Sequence, residues 1–257
     1  MSMRSRERRT LLLEALSVGE IDVDEIAARL KVSASTVRRD LQHLSATRAV
    51  RRTYGGAILA SHPPETTLTE RLAVNGAEKR AIARAALDLV EDGDTLILDA
   101  GSTVVAFGQL LARRRLKIIT NNLALLPFLA EAPGLELVVL GGALRATSMS
   151  TIGPLAVEGL RLMTADRAIM SADGVVAGRG LCEVSLDQVI LKSLMMRQSR
   201  EVIVLADTSK LGRAEQTAWA PLPRNWTLVT DSSEPKEQLR RLSEAGADIS
   251  IADAREA

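Results

Sequence analysis

Apolar residues recur through the first sixty positions at helical rather than strand spacing. Leu12, Leu13 and Leu16 share one side of a helix predicted from Arg6 to Leu16, and Gly19 marks its end. Ile26, Ala27 and Leu30 form the stripe of a second, from Val23 to Leu30, with Asp22 as N-cap and Lys31-Val32 as a short turn. Ser33 then caps a third helix, in which Val37, Leu41 and Leu44 fall at i, i+4 and i+7 and face inward. Its other side carries Ser35, Arg39, Gln42 and His43, with Arg38 on the flank. From Val50 to Ala57, short β-prone pieces and the pair Gly55-Gly56 predict a two-stranded wing.

The pattern changes after residue 58. Leu59 to Thr69 contains Pro63-Pro64 and several Ser and Thr, which disfavours helix and reads as a linker. The expected division is 1–58, a winged helix-turn-helix; 59–76, a linker; and 77–257, a larger domain. A helix from Ala77 to Glu91 leads into short apolar strands at 95–98, 117–120, 135–140, 168–171, 202–206, 228–230 and 248–251. Helices near 104–113, 124–131, 155–163, 186–199 and 235–245 intervene. Such alternation predicts an α/β domain, Rossmann-like, with a mostly parallel sheet covered on both faces.

Composition narrows the chemistry. Residues 1–60 hold 11 Lys and Arg against 7 Asp and Glu, a surplus of +4 inside a whole-chain charge of +1, so the positive excess sits at the front. One cysteine, Cys182, allows no internal disulfide and no cysteine zinc site and reads as a core residue; both histidines, His43 and His62, lie in the first quarter. A catalytic centre in the larger domain would have to work without imidazole. Two Phe, two Trp and one Tyr are too few for a protein that stacks RNA bases on aromatic platforms. The longest uncharged stretches, 100–112 and 118–130, fall short of the roughly 18 to 20 apolar residues of a membrane helix. No secretory signal is evident, and the expected location is cytoplasmic.

Two short helices joined by a tight turn, the second with a polar face of Ser, Arg and Gln, suit the DNA major groove, where Arg and Gln can bond base edges in pairs. A solvated helix of a small helical domain suits them equally. The wing, whose Arg51 and Arg52 would lie along phosphates, favours DNA. In the larger domain, polar turns recur at the carboxyl ends of successive strands, where open α/β sheets bind ligands. These are Asp99-Ala100-Gly101-Ser102-Thr103, Thr120-Asn121-Asn122, Gly141-Gly142 with Arg145, Asp173-Gly174, and Asp207-Thr208-Ser209-Lys210. Each alone reads better as a turn before a capped helix; together they point to one pocket in which Arg145 and Lys210 balance an anion.

The run from Val32 to Leu41, followed by Arg51-Arg52-Thr53-Tyr54-Gly55-Gly56-Ala57, closely resembles the winged helix-turn-helix of the DeoR family of bacterial repressors. The larger domain resembles that family's sensor domain through Glu78-Lys79, Asp99-Ala100-Gly101-Ser102-Thr103, Thr120-Asn121, Gly141-Gly142, Gly180-Leu181 and Ser209-Lys210-Leu211-Gly212. Met170-Ser171 and Gln188-Val189 depart from the family's usual residues. The resemblance implies a sensor fold similar to ribose-5-phosphate isomerase and CoA-transferase domains. It also implies a transcriptional repressor of a carbohydrate operon, released from operator DNA by a phosphorylated sugar or sugar derivative. The expected DNA contacts are Ser33, Ser35, Thr36, Arg38, Arg39, Gln42, His43, Arg51 and Arg52. The expected effector residues are Asp99, Gly101, Ser102, Thr103, Thr120, Asn121, Gly141, Gly142, Arg145, Asp173, Gly174 and Lys210. Asp40, beside the buried side of its helix, is expected to anchor a wing arginine. Neither metal nor cofactor is expected, and a homodimer or higher even homo-oligomer is. The alternative is a sugar-phosphate isomerase-like enzyme with an accessory DNA-binding domain, its protons carried by Asp99, Asp173, Asp207 and Lys210.

Overall fold

The computed structural model describes residues 5–18, 21–46, 50–52, 56–59 and 65–252, with 6, 7, 17, 18, 46, 50–52 and 56–59 by backbone alone. The amino-terminal module holds α1 (Ser5–Val18), β1 (Ile21–Asp22), α2 (Val23–Leu30), α3 (Ala34–Ala46), β2 (Val50–Arg52) and β3 (Gly56–Leu59). The Asp22 carboxylate accepts from the N–H groups of Asp24 and Glu25 at 2.9 and 3.0 Å, so α2 begins where the sequence predicts. Lys31 turns left-handed at φ 54° and ends it, and the Ser33 hydroxyl accepts from Thr36 N–H to start α3. Leu12, Leu16, Ile26, Ala27, Val37, Leu41 and Leu44 close one small core. β2 and β3 pair antiparallel as the wing, and β1 adds a third strand that is too short for any periodicity to announce. Gly19, the wing tip Thr53-Tyr54-Gly55, His62 and Pro63-Pro64 lie outside the described residues.

The larger module begins with α4 (Leu68–Ala73) and α5 (Gly76–Leu87), then β4 (Thr95–Leu98), α6 (Ser102–Gly108), β5 (Leu116–Thr120), α7 (Leu126–Leu129) and β6 (Leu135–Val139). A hairpin follows, β7 (Ala143–Arg145) and β8 (Ser150–Ile152), then α8 (Pro154–Arg161), β9 (Ala165–Met170), β10 (Gly174–Val176), β11 (Gly180–Glu183) and α9 (Leu186–Arg197). The chain continues through β12 (Ser199–Leu205), β13 (Ala218–Ala220), β14 (Trp226–Thr230), α10 (Lys236–Glu244) and β15 (Ala247–Ile251). The main sheet is parallel throughout, in the order β15-β14-β12-β9-β4-β5-β6. β10, β11 and β13 form a small antiparallel sheet beside it.

Strand residues alternate between two cores because successive side chains leave opposite faces. Ile97, Ile119, Ala168, Met170, Val202 and Val204 pack with α8, α9 and α10; Leu96, Leu98, Ile118, Ile169, Ile203 and Leu205 pack with α5, α6 and α7. Both faces are covered, which is why each of these strands carries consecutive apolar residues, such as Leu96-Ile97-Leu98 and Val202 to Leu205. From β4 the chain builds outward through β5 and β6, then returns to the other side of β4 with β9 and builds the opposite way. A crevice opens at this switch of direction, above the carboxyl ends of β4 and β9.

Three readings need correction. Leu68–Ala73 is helical although the composition of Leu59 to Thr69 disfavours helix: the Thr67 hydroxyl accepts from Glu70 N–H while the Glu70 carboxylate accepts from Thr67 N–H, a capping box. The helix expected to Ser199 stops at Arg197, where Gln198 turns its amide onto the carbonyls of Leu160, Arg161 and Met163 and Ser199 enters β12. β7, β8, β10, β11 and β13 were not anticipated, each being three or four residues long.

Candidate functional site

On α3 the side chains of Ser35, Arg38, Arg39, Gln42 and His43 are exposed on one face, and Thr36 is partly covered. Ser33 spends its hydroxyl on the cap and on the hydroxyls of Ser35 and Thr36, both at 2.8 Å, so it shapes the start of the helix. Arg38 leans 3.9 Å from Asp24 of α2, a weak exposed pair, whereas Arg39 has no ion-pair partner among the described residues. Asp40 is buried and accepts from Arg8 Nε at 2.5 Å, with Arg9 Nε at 3.8 Å. Asp40 thereby ties α3 to α1 and holds α3 against the core; the expected anchoring of a wing arginine rests on side chains outside the described residues. Arg51 and Arg52 sit on β2, and their side chains lie outside the described residues.

The crevice in the larger module encloses about 420 Å³, counting its open mouth. Gly101, Ser102 and Thr103 come from the β4–α6 loop, Ser171, Ala172 and Asp173 from the end of β9, Glu183 from β11, Gln188 from α9, Ser148 from the β7–β8 turn, Lys210 from beyond β12, and Arg71 from α4. Gly101 stands at φ 151°, and a Cβ there would lie 1.9 Å from the Ser171 hydroxyl; only glycine lets the two loops meet. No side chain caps α6, which leaves its first amides to the cleft. Lys210 has no ion pair among the described residues. Arg71 Nη1 lies 3.4 Å from Asp173 Oδ1, while its Nε and Nη2, and Asp173 Oδ2, are shielded from solvent without a partner. Ser171 and Gln188, at the two places where the sequence departs from the family pattern, both line this cleft.

Of the expected effector residues, Gly101, Ser102, Thr103, Asp173 and Lys210 line the cleft; the others do not. Asp99 is buried behind it, its carboxylate accepting from Ser171 N–H at 3.1 Å and from Lys192. Thr120 donates to Leu98 O, tying β5 to β4. Asn121 donates to Thr151 O and faces a small chamber behind the cleft. Gly141 and Gly142 are exposed where the β7–β8 hairpin starts. Arg145 is drawn to Glu65 and Ser148. Gly174 pairs with Cys182 across β10 and β11, and a Cβ there would meet Arg213 O at 1.9 Å, so its glycine serves packing.

Beneath the cleft, Lys192 donates to Asp99, to Ser171 O at 2.6 Å and to Glu183 at 3.0 Å, all nearly without solvent contact. One ammonium faces two buried carboxylates. The Lys192 pKa is held up by both acids against its burial, while burial pushes Glu183 up to about 8. Arg71, Ser148, Glu183 and Lys192 escaped the sequence reading, whereas Ser171 and Gln188 stood out only as departures from the family pattern. For Arg71 a signal existed, since Thr67 and Glu70 spell a capping box; the rest sit in elements with no local mark of function.

A winged helix-turn-helix followed by an α/β module with a polar cleft places the chain among two-module DNA-binding transcriptional regulators. A family model described as "DeoR-like helix-turn-helix domain" matches residues 8–62, and one described as "DeoR C terminal sensor domain" matches 74–232. The chain belongs to the DeoR family. It is 31% identical to a putative aga operon transcriptional repressor of Escherichia coli O157:H7, over 95% of this chain and 92% of that one. It is 34% identical to the HTH-type transcriptional repressor GlcR of Bacillus subtilis, over 89% of each. A ribose 5-phosphate isomerase of Methanocaldococcus jannaschii covers 53% of this chain and 54% of its own at 21% identity, with a TM-score of 0.39, too loose to carry an argument. No described helix is long and apolar enough to cross a membrane.

Proposed function

We propose that the protein represses a carbohydrate operon in the cytoplasm and releases its operator when a phosphorylated sugar or sugar derivative enters the cleft. The single observation that carries this reading is the cleft itself: the amides and hydroxyls of the Gly101–Thr103 loop share its lining with Lys210, which has no ion pair among the described residues. Backbone donors and a cation around a polar space match a phosphate monoester. Relatives support the carbohydrate link, among them the lactose phosphotransferase system repressor of Lactococcus lactis, 30% identical over 94% of this chain. For a tenfold release the effector must favour the released state by about 1.4 kcal/mol, a modest allosteric coupling. On the DNA side the reading face is Ser35, Thr36, Arg38, Arg39, Gln42 and His43, with Ser33 supporting it and Arg51 and Arg52 along the wing phosphates. One reading helix per chain and two-fold operators call for a homodimer or higher even oligomer.

The cleft senses rather than catalyses. The Asp99 carboxylate, one of the groups an isomerase reading would use to move protons, lies behind the cleft and is committed to Lys192 and Ser171. The test is operator binding by fluorescence anisotropy with a panel of pentose and hexose phosphates. Lys210→Ala should hold operator as the parent does and respond at least tenfold more weakly to the releasing compound. An unchanged response removes Lys210 from the site, and turnover of any compound in the panel overturns the sensor reading.

A further inference from the structure

Arg71 lies at residues that neither family model covers, between 62 and 74, on the first described element after the wing strand β3. Its guanidinium nevertheless reaches into the cleft of the larger module. The segment around it is fastened there at several points. Glu65 pairs with Arg145 and Asn75 donates to Asp207 at 3.1 Å, while within the segment buried Lys79 donates to the carbonyls of Arg71 and Val74, the latter at 2.6 Å. Residues 65–79 therefore run across the cleft as a strap, where the sequence reading placed mostly linker.

The strap is electrically incomplete at one place. Arg71 touches Asp173 through a single long contact, and two of its nitrogens plus the second Asp173 oxygen find no partner though shielded from water. A buried donor without an acceptor is costly, and a planar guanidinium with two unfilled N–H positions matches two oxygens of one tetrahedral anion. On the reading that the effector carries a phosphate, we infer that Arg71 is a ligand of that phosphate and the route by which its arrival reaches the DNA-binding module. The anion competes with Asp173 for the guanidinium and draws Arg71, and with it α4, toward the Gly101–Thr103 loop. Because α4 leads back to the wing, the bound anion acts directly on the chain that joins the two modules.

The experiment uses the full chain with inorganic phosphate as probe, at constant ionic strength balanced with chloride. Binding is read by titration calorimetry and α4 by hydrogen exchange. The parent should bind phosphate and show slowed exchange over 68–73; Arg71→Gln should bind at least tenfold more weakly and lose that protection. Asp173→Asn, which removes the competing acceptor and a like charge, should bind several-fold more tightly, and this opposite sign remains a test if Arg71→Gln folds poorly. Parent-like binding by Arg71→Gln, protection confined to the 101–103 loop, or weakened binding by Asp173→Asn overturns the inference. If Lys210→Ala alone abolishes binding, the phosphate reading stands and the role of Arg71 falls. A parent chain that ignores phosphate yet is released from operator by an unphosphorylated sugar overturns both.

Discussion

The reading face of α3 and the cleft of the larger module are both polar, yet they are made in opposite ways. Ser35, Arg38, Arg39, Gln42 and His43 come from one helix and stand in solvent, tied to their surroundings by little more than the 3.9 Å approach of Arg38 to Asp24. The cleft takes its residues from α4, two strand-end loops, a hairpin turn, β11, α9 and the Lys210 turn, and rests on the buried group of Asp99, Lys192 and Glu183. An exposed face can change chemistry without changing stability, because its groups exchange protein for water at little cost. A cleft built on buried charge cannot, since its floor and its fold are the same interactions.

The largest test of that contrast is Lys192→Met, which leaves the Asp99 carboxylate buried without its cation and should cost about 3 to 5 kcal/mol. Trp219 and Trp226, the only tryptophans, both lie in the larger module, so their fluorescence in a denaturant titration reports its unfolding alone. An unshifted midpoint would mean the cleft floor is no more structural than the α3 face.

Glu183 gives the next effect, through pH. Its carboxyl is raised by burial from 4.5 to about 8, so the folded chain keeps a proton there that the unfolded chain has released. Stability from this group is therefore full below about 4.5 and is lost as pH rises toward 8, at no more than about 1.4 kcal/mol per pH unit. Glu183→Gln should flatten that slope when the tryptophan-monitored midpoint is followed across the window; the same slope in both proteins would assign it to other groups.

The smallest change in stability with a large change in binding belongs to Arg39→Ala. Operator affinity should fall by roughly 1 to 3 kcal/mol, with relaxed preference at one base pair, while the unfolding midpoint stays put. Anisotropy against operator variants measures the first and denaturation the second. A parallel loss of stability would break the comparison from the other side.

Much of this architecture was legible in short stretches. α2 runs from Val23 to Leu30 as its apolar stripe and Asp22 cap require, and the central strands β4, β9 and β12 show through consecutive apolar residues because both sheet faces are covered there. The outward face of α3 followed from helical spacing alone. Where the reading failed, the signal was either masked or absent. Pro63-Pro64 gives the stretch the composition of a linker and masks the Thr67–Glu70 capping box that starts α4 and positions Arg71. Strands of three residues, such as β7 and β10, are too short to carry a period. Asp99, Thr120 and Arg145 have the residue types of a ligand site and are held by Lys192, Leu98 O and Glu65 instead.

The sequence by itself determined the elements, the polar face of the third helix and the presence of polar turns after the strands, because caps, spacing and turn chemistry act within a few residues. Only the tertiary structure decided which turns share a space. β9 returns beside β4 rather than beside β6, and that one pairing brings Ser171 against Gly101, sets Lys192 under both loops and aims Arg71 at Asp173. Strand order is settled by the packing of whole faces over distances far along the chain, which no local pattern records.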